Sequence, residues 1–435
     1  MKLKDHLSTG IWAAADKAIL LLYGFAVIVV VINVLPEREY GSFMLFQSIF
    51  LIICVLSDSI FLQPMVKFAS EHKAEVGLIL AASFNLYVLV MMVSGAIFAL
   101  LSSPLGAAYL STELTTMMLW MPVVIAANIL RGIGNRYLQV TYSISKIFWV
   151  DLSYYGSMIV LTILAHSLGM FHTGLDFLYI NLLGGLISSV VAFWFCKDAF
   201  LSMPLLSVPR NEYGKLISFA KFQAGTSALL TLQQWGDVLI LGIYSPAETK
   251  LANVALFSAA KTLYRGFDAV REGATLLIVP VASKTYTAGD KEGLSSLIER
   301  MLFFSFALLV PVSLVMTLGS PVLMDIFYKN KFSGIDGVFR ILMLGGFTLP
   351  LSLVATNVLI GTGHVKGLFF STLAATIVFF GLNRLIIPSM QAEGAAVAVF
   401  ASTTVLGILT FFVMRRELSV SARGVLKLGR MKKKL

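Results

Sequence analysis

The chain has 435 residues, of which 58% are hydrophobic and 13% charged, and its mean hydropathy is +0.87. Soluble domains carry about 25% charged residues, so this composition excludes an ordinary soluble globule, a disordered tail and a disulfide scaffold. The net charge of +10 comes from 33 Lys+Arg against 23 Asp+Glu, and the basic residues lie between apolar runs, which favours membrane lipid over nucleic acid as the partner.

A helix needs about 20 apolar residues to cross the hydrocarbon core. Twelve runs qualify, at 11–34, 41–63, 78–102, 115–136, 146–168, 174–196, 216–243, 252–282, 297–318, 338–360, 366–388 and 394–414. None alternates with period two, so a β-barrel is excluded, and open sheet edges do not survive in lipid. The first run carries Asp16 and Lys17 near its start and no small-residue cleavage site follows it, so it is expected to be a retained span. With the N-terminus in the cytoplasm, 22 Lys/Arg fall on the cytoplasmic side and 5 on the other (Arg38, Lys250, Lys329, Lys331 and Arg340). The positive-inside rule therefore puts both termini in the cytoplasm, with the basic tail on anionic head groups. Cys54 and Cys196 lie inside apolar runs as small buried hydrophobes and frame no disulfide or metal spacing.

The runs divide into two sets of six. Asn128–Gly134 in the fourth span reads N-x-L-x-G-x-G, and Asn357–Gly363 in the tenth reads the same. The first and seventh spans each end in a short loop with proline, Pro36 and Pro246. The sixth runs from Gly174 to Lys197 and the twelfth from Gly394 to Arg415. The expectation is an all-α polytopic membrane protein of two six-helix lobes, 1–200 and 201–435, around a central cavity. The 197–215 segment serves as linker. Parallel repeats of this kind recur in transporters that rock two bundles about a midplane site. The loops leave no room for a soluble catalytic domain, and neither a phosphate loop nor HExxH is present. Gly361-x-Gly363 follows no strand and is expected to end the tenth helix. His166 and His172 have no third ligand nearby, so no metal or other cofactor is expected and the protein does not read as an enzyme.

Ionisable residues inside the spans are the informative ones, because a charge at the bilayer centre costs about 2.5–3.5 kcal/mol on insertion scales. The cations are Lys17, Lys221, Lys261, Arg265, Arg271 and Arg384, and the anions Asp16, Asp58, Asp151, Asp237, Asp268 and Glu272. In the eighth span Lys261, Arg265, Asp268 and Glu272 fall at i, i+4, i+7 and i+11, one stripe that must face the bundle interior. Lys261 and Asp237 lie at similar depth and are expected to pair. Asp16, Lys17, Asp58, Asp151 and Lys221 fall in the cytoplasmic third, where ion pairing among them would form a gate. Two readings of the set stay open. One is internal salt bridges that hold helices together. The other is a water-filled cavity whose cations hold an anionic substrate and whose carboxylates carry a coupling ion.

Leu35–Gly41 reads L-P-E-R-E-Y-G, and Val254–Ala260 reads V-A-L-F-S-A-A. At these residues the chain resembles the polysaccharide transporter family, the O-antigen-type lipid-linked oligosaccharide flippases of the superfamily that also holds multidrug/ion antiporters. That family's patterns are L-G-P-E-E-Y-G, with Pro36 here where its glycine stands, and V-G-x-Y-S-A-A, with Ala255 and Phe257 here replacing Gly and Tyr. Asp237 with Gly242 matches D-x-x-x-x-G, and Pro280, Ser283 and Ala288–Asp290 match the following loop. Ile387–Pro388 with Gly394–Ala396 resembles I-P-x-x-G-x-x-G-A-A, with Gln391 where the first glycine stands. The resemblance implies an undecaprenyl-diphosphate-linked glycan moved across the cytoplasmic (inner) membrane by alternating access. It implies a coupling ion, proton or sodium, and a place in surface polysaccharide (O-antigen, lipopolysaccharide) biosynthesis beside other polysaccharide-assembly proteins. On that reading Arg265 and Arg271 meet the pyrophosphate, and Lys17, Lys221 and Lys261 line its route. Asp237 and Asp268 pair or couple, with Asp16, Asp58, Asp151 and Glu272 as further coupling or gating carboxylates. The rivals are a drug or cation antiporter of the same superfamily, which needs an acidic cavity, a polymerase or ligase, which needs a larger external loop, and a lipid II-type flippase, which would carry two further spans.

Overall fold

The computed structural model describes residues 3–71, 75–329 and 331–418; the side chains of 3–11, 13–14, 71, 218–223, 268–273 and 276–277 lie outside that description. Among the described residues there is no strand, and every predicted run lies on helix. The first half holds α1 (Leu3–Ala26), α2 (Glu37–Ser57), α3 (Gln63–Glu71), α4 (Val76–Leu100), α5 (Ser102–Tyr109), α6 (Thr112–Leu119), α7 (Met121–Val140), α8 (Ile144–Ser167) and α9 (Gly174–Ser202). The second holds α10 (Arg210–Tyr244), α11 (Lys250–Tyr264), α12 (Gly266–Thr287), α13 (Lys291–Leu318), α14 (Ser320–Tyr328), α15 (Ile335–Gly361) and α16 (Val365–Leu418).

Among the described residues eight helices are long and apolar enough to span a bilayer, and α6 with α7, bent by 48° at Trp120, makes a ninth. The remaining predicted runs are present in altered form. The eleventh and twelfth are merged in α16, which is interrupted at Gln391. The seventh lies on α10, whose middle carries Gln233, Gln234 and Asp237. The eighth, predicted as one continuous helix, is two, α11 and α12, broken at Arg265. π-helical stretches at Val27–Ile32 and Asp58–Leu62 end α1 and α2, and such bulges let a span change its winding without losing backbone hydrogen bonds.

Local chemistry fixes the helix starts. Pro36 precedes α2, and Glu37 and Glu39 in its first turn suit the positive end of the helix. Thr173 and Asp176 form a reciprocal capping box at α9, and the Ser111 hydroxyl accepts from Leu114 N at α6. The Pro-Glu-Arg-Glu-Tyr-Gly segment also ties helices together. Glu39 accepts from Gly174 N at 2.9 Å, and Arg38 donates to Leu110 O at 2.9 Å. Gly41 lies directly against the carbonyl of Leu251.

The chain forms two compact units, Met1–Thr231 with Ser245–Ser258, and Leu232–Tyr244 with Ala259–Leu435. In the first, Phe43 packs on Phe177 with ring centroids 4.7 Å apart, joining α2 to α9. In the second, Val354, Val358 and Leu359 of α15 pack with Leu302 of α13, Leu368 and Met414 of α16 and Ala282 of α12. The two N-x-L-x-G-x-G copies match in hydrogen bonding: Asn128 donates to Val124 O at 2.9 Å and Asn357 to Leu353 O at 2.8 Å. In the second copy α15 ends at Gly361, and Gly363 takes the left-handed conformation with φ +79°, as expected of a helix stop. Large apolar side chains such as Phe304 and Val315 of α13 point outward, which a bilayer accommodates.

Two substitutions probe these contacts. Gly41→Ala forces a methyl group onto the Leu251 carbonyl and should cost about 1–3 kcal/mol, lowering the melting temperature of the detergent-purified protein. Gly24→Ala, with open space around it, should not. Gln391 has φ 50° and ψ −123°, a backbone region that favours glycine, so Gln391→Gly should raise the melting temperature by relieving strain of about 1 kcal/mol or more.

Candidate functional site

The charged residues of the first unit gather around α7. Arg131, Asn135 and Arg136 lie well inside that helix and not beyond its end. Arg131 donates from Nη2 to Asp151 Oδ1 of α8 at 2.9 Å, and Asn135 Nδ2 reaches the same oxygen at 3.1 Å. The guanidinium lies over the Tyr154 ring, 3.7 Å from its centroid. Tyr154 in turn donates to Asn181 Oδ1 of α9 at 2.9 Å. Arg136 grips the second carboxylate, Asp58, with two hydrogen bonds of 2.7 Å from Nε and Nη2. Gln63 also donates to Asp58, and Gln139 accepts from Arg136. On α1 the Lys17 ammonium is 3.8 Å from Asp16, whose carboxyl neighbours that of Asp151.

The second unit holds a drier centre where α10 meets α11. Lys261 donates to the Asp237 carboxylate and to the Gln234 carbonyl. Asp237 is fully buried and Lys261 is 4% exposed; Asp237 also accepts from Val238 N at 2.8 Å. The Arg265 guanidinium lies 4.0 Å from the centre of the Trp235 ring. Gln233, on the same helix, donates to Thr376 Oγ1 of α16 at 2.7 Å. A charge can persist here because its partner charge and several dipoles replace water.

The pair expected from equal depth, Lys261 with Asp237, is thus present. The eighth span is two helices meeting at Arg265, with Lys261 on α11, and the expected charged stripe runs on into Asp268 and Glu272 of α12, whose side chains lie outside the described residues. The side chains of Lys221, Asp268, Arg271 and Glu272 lie outside the described residues. Of the residues expected to form a cytoplasmic gate, Lys17 lies 3.8 Å from Asp16, and the Lys221 side chain lies outside the described residues. Asp58 and Asp151 are held by Arg136 and Arg131, two residues that sequence reasoning assigned to a cytoplasmic segment. The spacing Asn128, Arg131, Asn135 (i, i+3, i+7) was the available indication, since it places three polar residues on one face of a span.

No family model matches the chain. Over 144 residues it is 25% identical to an uncharacterized membrane protein of Methanocaldococcus jannaschii; the match covers 32% of this chain and 26% of that protein. Solved structures match over nearly the whole length. An inward-facing multidrug resistance MATE family transporter of the MOP superfamily aligns with a TM-score of 0.74 and 15% identity, covering 92% of this chain and 94% of that one. The lipid II flippase MurJ in an inward closed conformation aligns with a TM-score of 0.74 and 14% identity, covering 97% and 89%. A MOP superfamily transporter from Pyrococcus furiosus aligns with a TM-score of 0.65 and 15% identity, covering 94% of each chain. At these identities the likeness is one of fold, and the fold is that of multi-pass transporters.

The buried pair gives a direct test. Lys261→Met alone leaves the Asp237 charge buried without its ammonium and should cost about 3–5 kcal/mol. Lys261→Met with Asp237→Leu should recover most of that loss. Thermal unfolding of the purified variants measures both, and equal melting temperatures for the single variant and the parent would contradict the pairing.

Proposed function

We propose that the chain is a flippase that moves a polyprenyl-diphosphate-linked oligosaccharide across the cytoplasmic (inner) membrane for surface polysaccharide biosynthesis. A glycan and a pyrophosphate cannot cross hydrocarbon unaided, whereas the polyprenyl tail stays in lipid. The observation that carries the reading is the presence of charged centres inside the spans of both units, within a fold shared with a lipid II flippase. The Lys/Arg asymmetry supports cytoplasmic termini. The residues assigned to the substrate are Lys17, Lys221, Lys261, Arg265 and Arg271. Asp16, Asp58, Asp151, Asp237, Asp268 and Glu272 are assigned to coupling or gating, with a proton or sodium ion as driving ion. Alternating access between lobes drawn at 1–200 and 201–435 would carry the head group across. The ordered motifs at Leu35–Gly41, Val254–Ala260 and Ile387–Ala396 favour the O-antigen-type subclass.

The MATE neighbours favour a second reading, a multidrug or cation antiporter. Net charge separates the two in principle: a cation carrier needs surplus carboxylate, whereas the six cations and six anions read in the spans, joined by Arg131 and Arg136 of α7, leave no surplus carboxylate.

Translocation in proteoliposomes decides between them. The protein should move a fluorescent polyprenyl-diphosphate oligosaccharide to a membrane-impermeant lectin, with Arg265→Ala and Arg271→Ala each reducing the rate at least tenfold, the effect of losing about 1.4 kcal/mol. Unchanged rates in both variants, or transport of cationic dyes without the lipid-linked glycan, would contradict the flippase reading.

A further inference from the structure

The two arginines of α7 are held in different ways. Arg136 is engaged on all three nitrogens: Nε and Nη2 both bind Asp58 at 2.7 Å, and Nη1 donates to Gln139 at 2.9 Å. Arg131 meets its carboxylate through Nη2 alone, on a single oxygen of Asp151 that Asn135 also uses. Its Nε is buried and donates to no acceptor among the described residues. The guanidinium is nevertheless firmly aimed. Tyr154 lies flat beneath it and is itself fixed by Asn181, while the Arg131 backbone N donates to Ser189 Oγ at 3.2 Å.

A guanidinium presents a fork of donors that matches two oxygens of one phosphate, and such two-pronged contacts are stronger and more selective than a single carboxylate hydrogen bond. Arg131 thus combines a rigid seat, an unused buried donor and a weakly committed anion.

We infer that Arg131 is a phosphate-reading residue and that Asp151 is an exchangeable stand-in, holding the guanidinium until a phosphate of the lipid diphosphate displaces it. Arg136, with every arm occupied, is a structural tie between α7 and the Asp58 π-helical stretch. The inference rests on the lipid-diphosphate reading and adds a residue that reading did not include. It also gives Asp151 a defined task, competition with the ligand. Loss of the stand-in should therefore strengthen binding, the reverse of what loss of a positioning partner does.

The test is binding of farnesyl diphosphate to the full-length protein in nanodiscs, by isothermal titration, with farnesol as the uncharged control. Arg131→Gln should weaken binding at least tenfold, as expected when a charge-assisted contact worth about 1.4 kcal/mol or more is lost. Arg131→Lys should recover only part of it. Asp151→Asn should tighten binding severalfold. Arg136→Gln should leave affinity close to wild type while lowering the melting temperature, which provides a control for folding. Wild-type affinity in Arg131→Gln overturns the inference and leaves the flippase reading standing. An Asp151→Asn affinity as poor as that of Arg131→Gln makes Asp151 a positioning residue and overturns the exchange. No saturable binding of farnesyl diphosphate by the wild type overturns the inference together with the reading beneath it.

Discussion

A charge in hydrocarbon has to find its counter-charge inside the protein. That constraint organises this molecule more than any propensity or motif. Asp237 is fully buried, yet it is satisfied by the Lys261 ammonium and by Val238 N. Asp58 and Asp151 are satisfied by arginines one helix away. Removing the partner of sealed Asp237 is costly, because the charge left behind cannot reach water. Each pair therefore fixes helix register, joining α10 to α11, α7 to the Asp58 π-helical stretch, and α7 to α8.

The pairs are not equivalent. Lys261–Asp237 is almost sealed, whereas the side chains of Arg131 and Arg136 are 19% and 33% exposed. A sealed pair is costly to open. The α7 cluster is more open, with carboxyls of α1 and α8 beside each other and a guanidinium seated on tyrosine.

Much of this was legible in the sequence, and the physical reason differs from feature to feature. Hydropathy gives the spans because lipid demands long apolar helices, and every predicted run lies on helix. Depth counting gave Lys261–Asp237 because rise along a helix is fixed at about 1.5 Å per residue. Counting basic residues by side grouped Arg131 and Arg136 with the cytoplasmic cations and did not foresee their pairing with Asp151 and Asp58, since a cation near the end of a span reads equally as a loop anchor or as a membrane-embedded group. The break at Arg265 had little warning beyond the glycine that follows it. Gln391 was more informative: it stands where the resembled family has glycine, and its φ of 50° shows why glycine belongs there. Likewise Gly41 ends the first-loop motif because the Leu251 carbonyl leaves no space for a side chain.

The central claim is that charges on the α7 face meet water within the membrane. Thiol accessibility at Asn135 tests it most directly. With Cys54 and Cys196 replaced by alanine, Asn135→Cys should react with a membrane-impermeant methanethiosulfonate reagent, and Val315→Cys, on the outward apolar face of α13, should not. Farnesyl diphosphate should slow the reaction at position 135. Inert thiols at both positions would mean that these ion pairs are dry ties, and the transport account would fail.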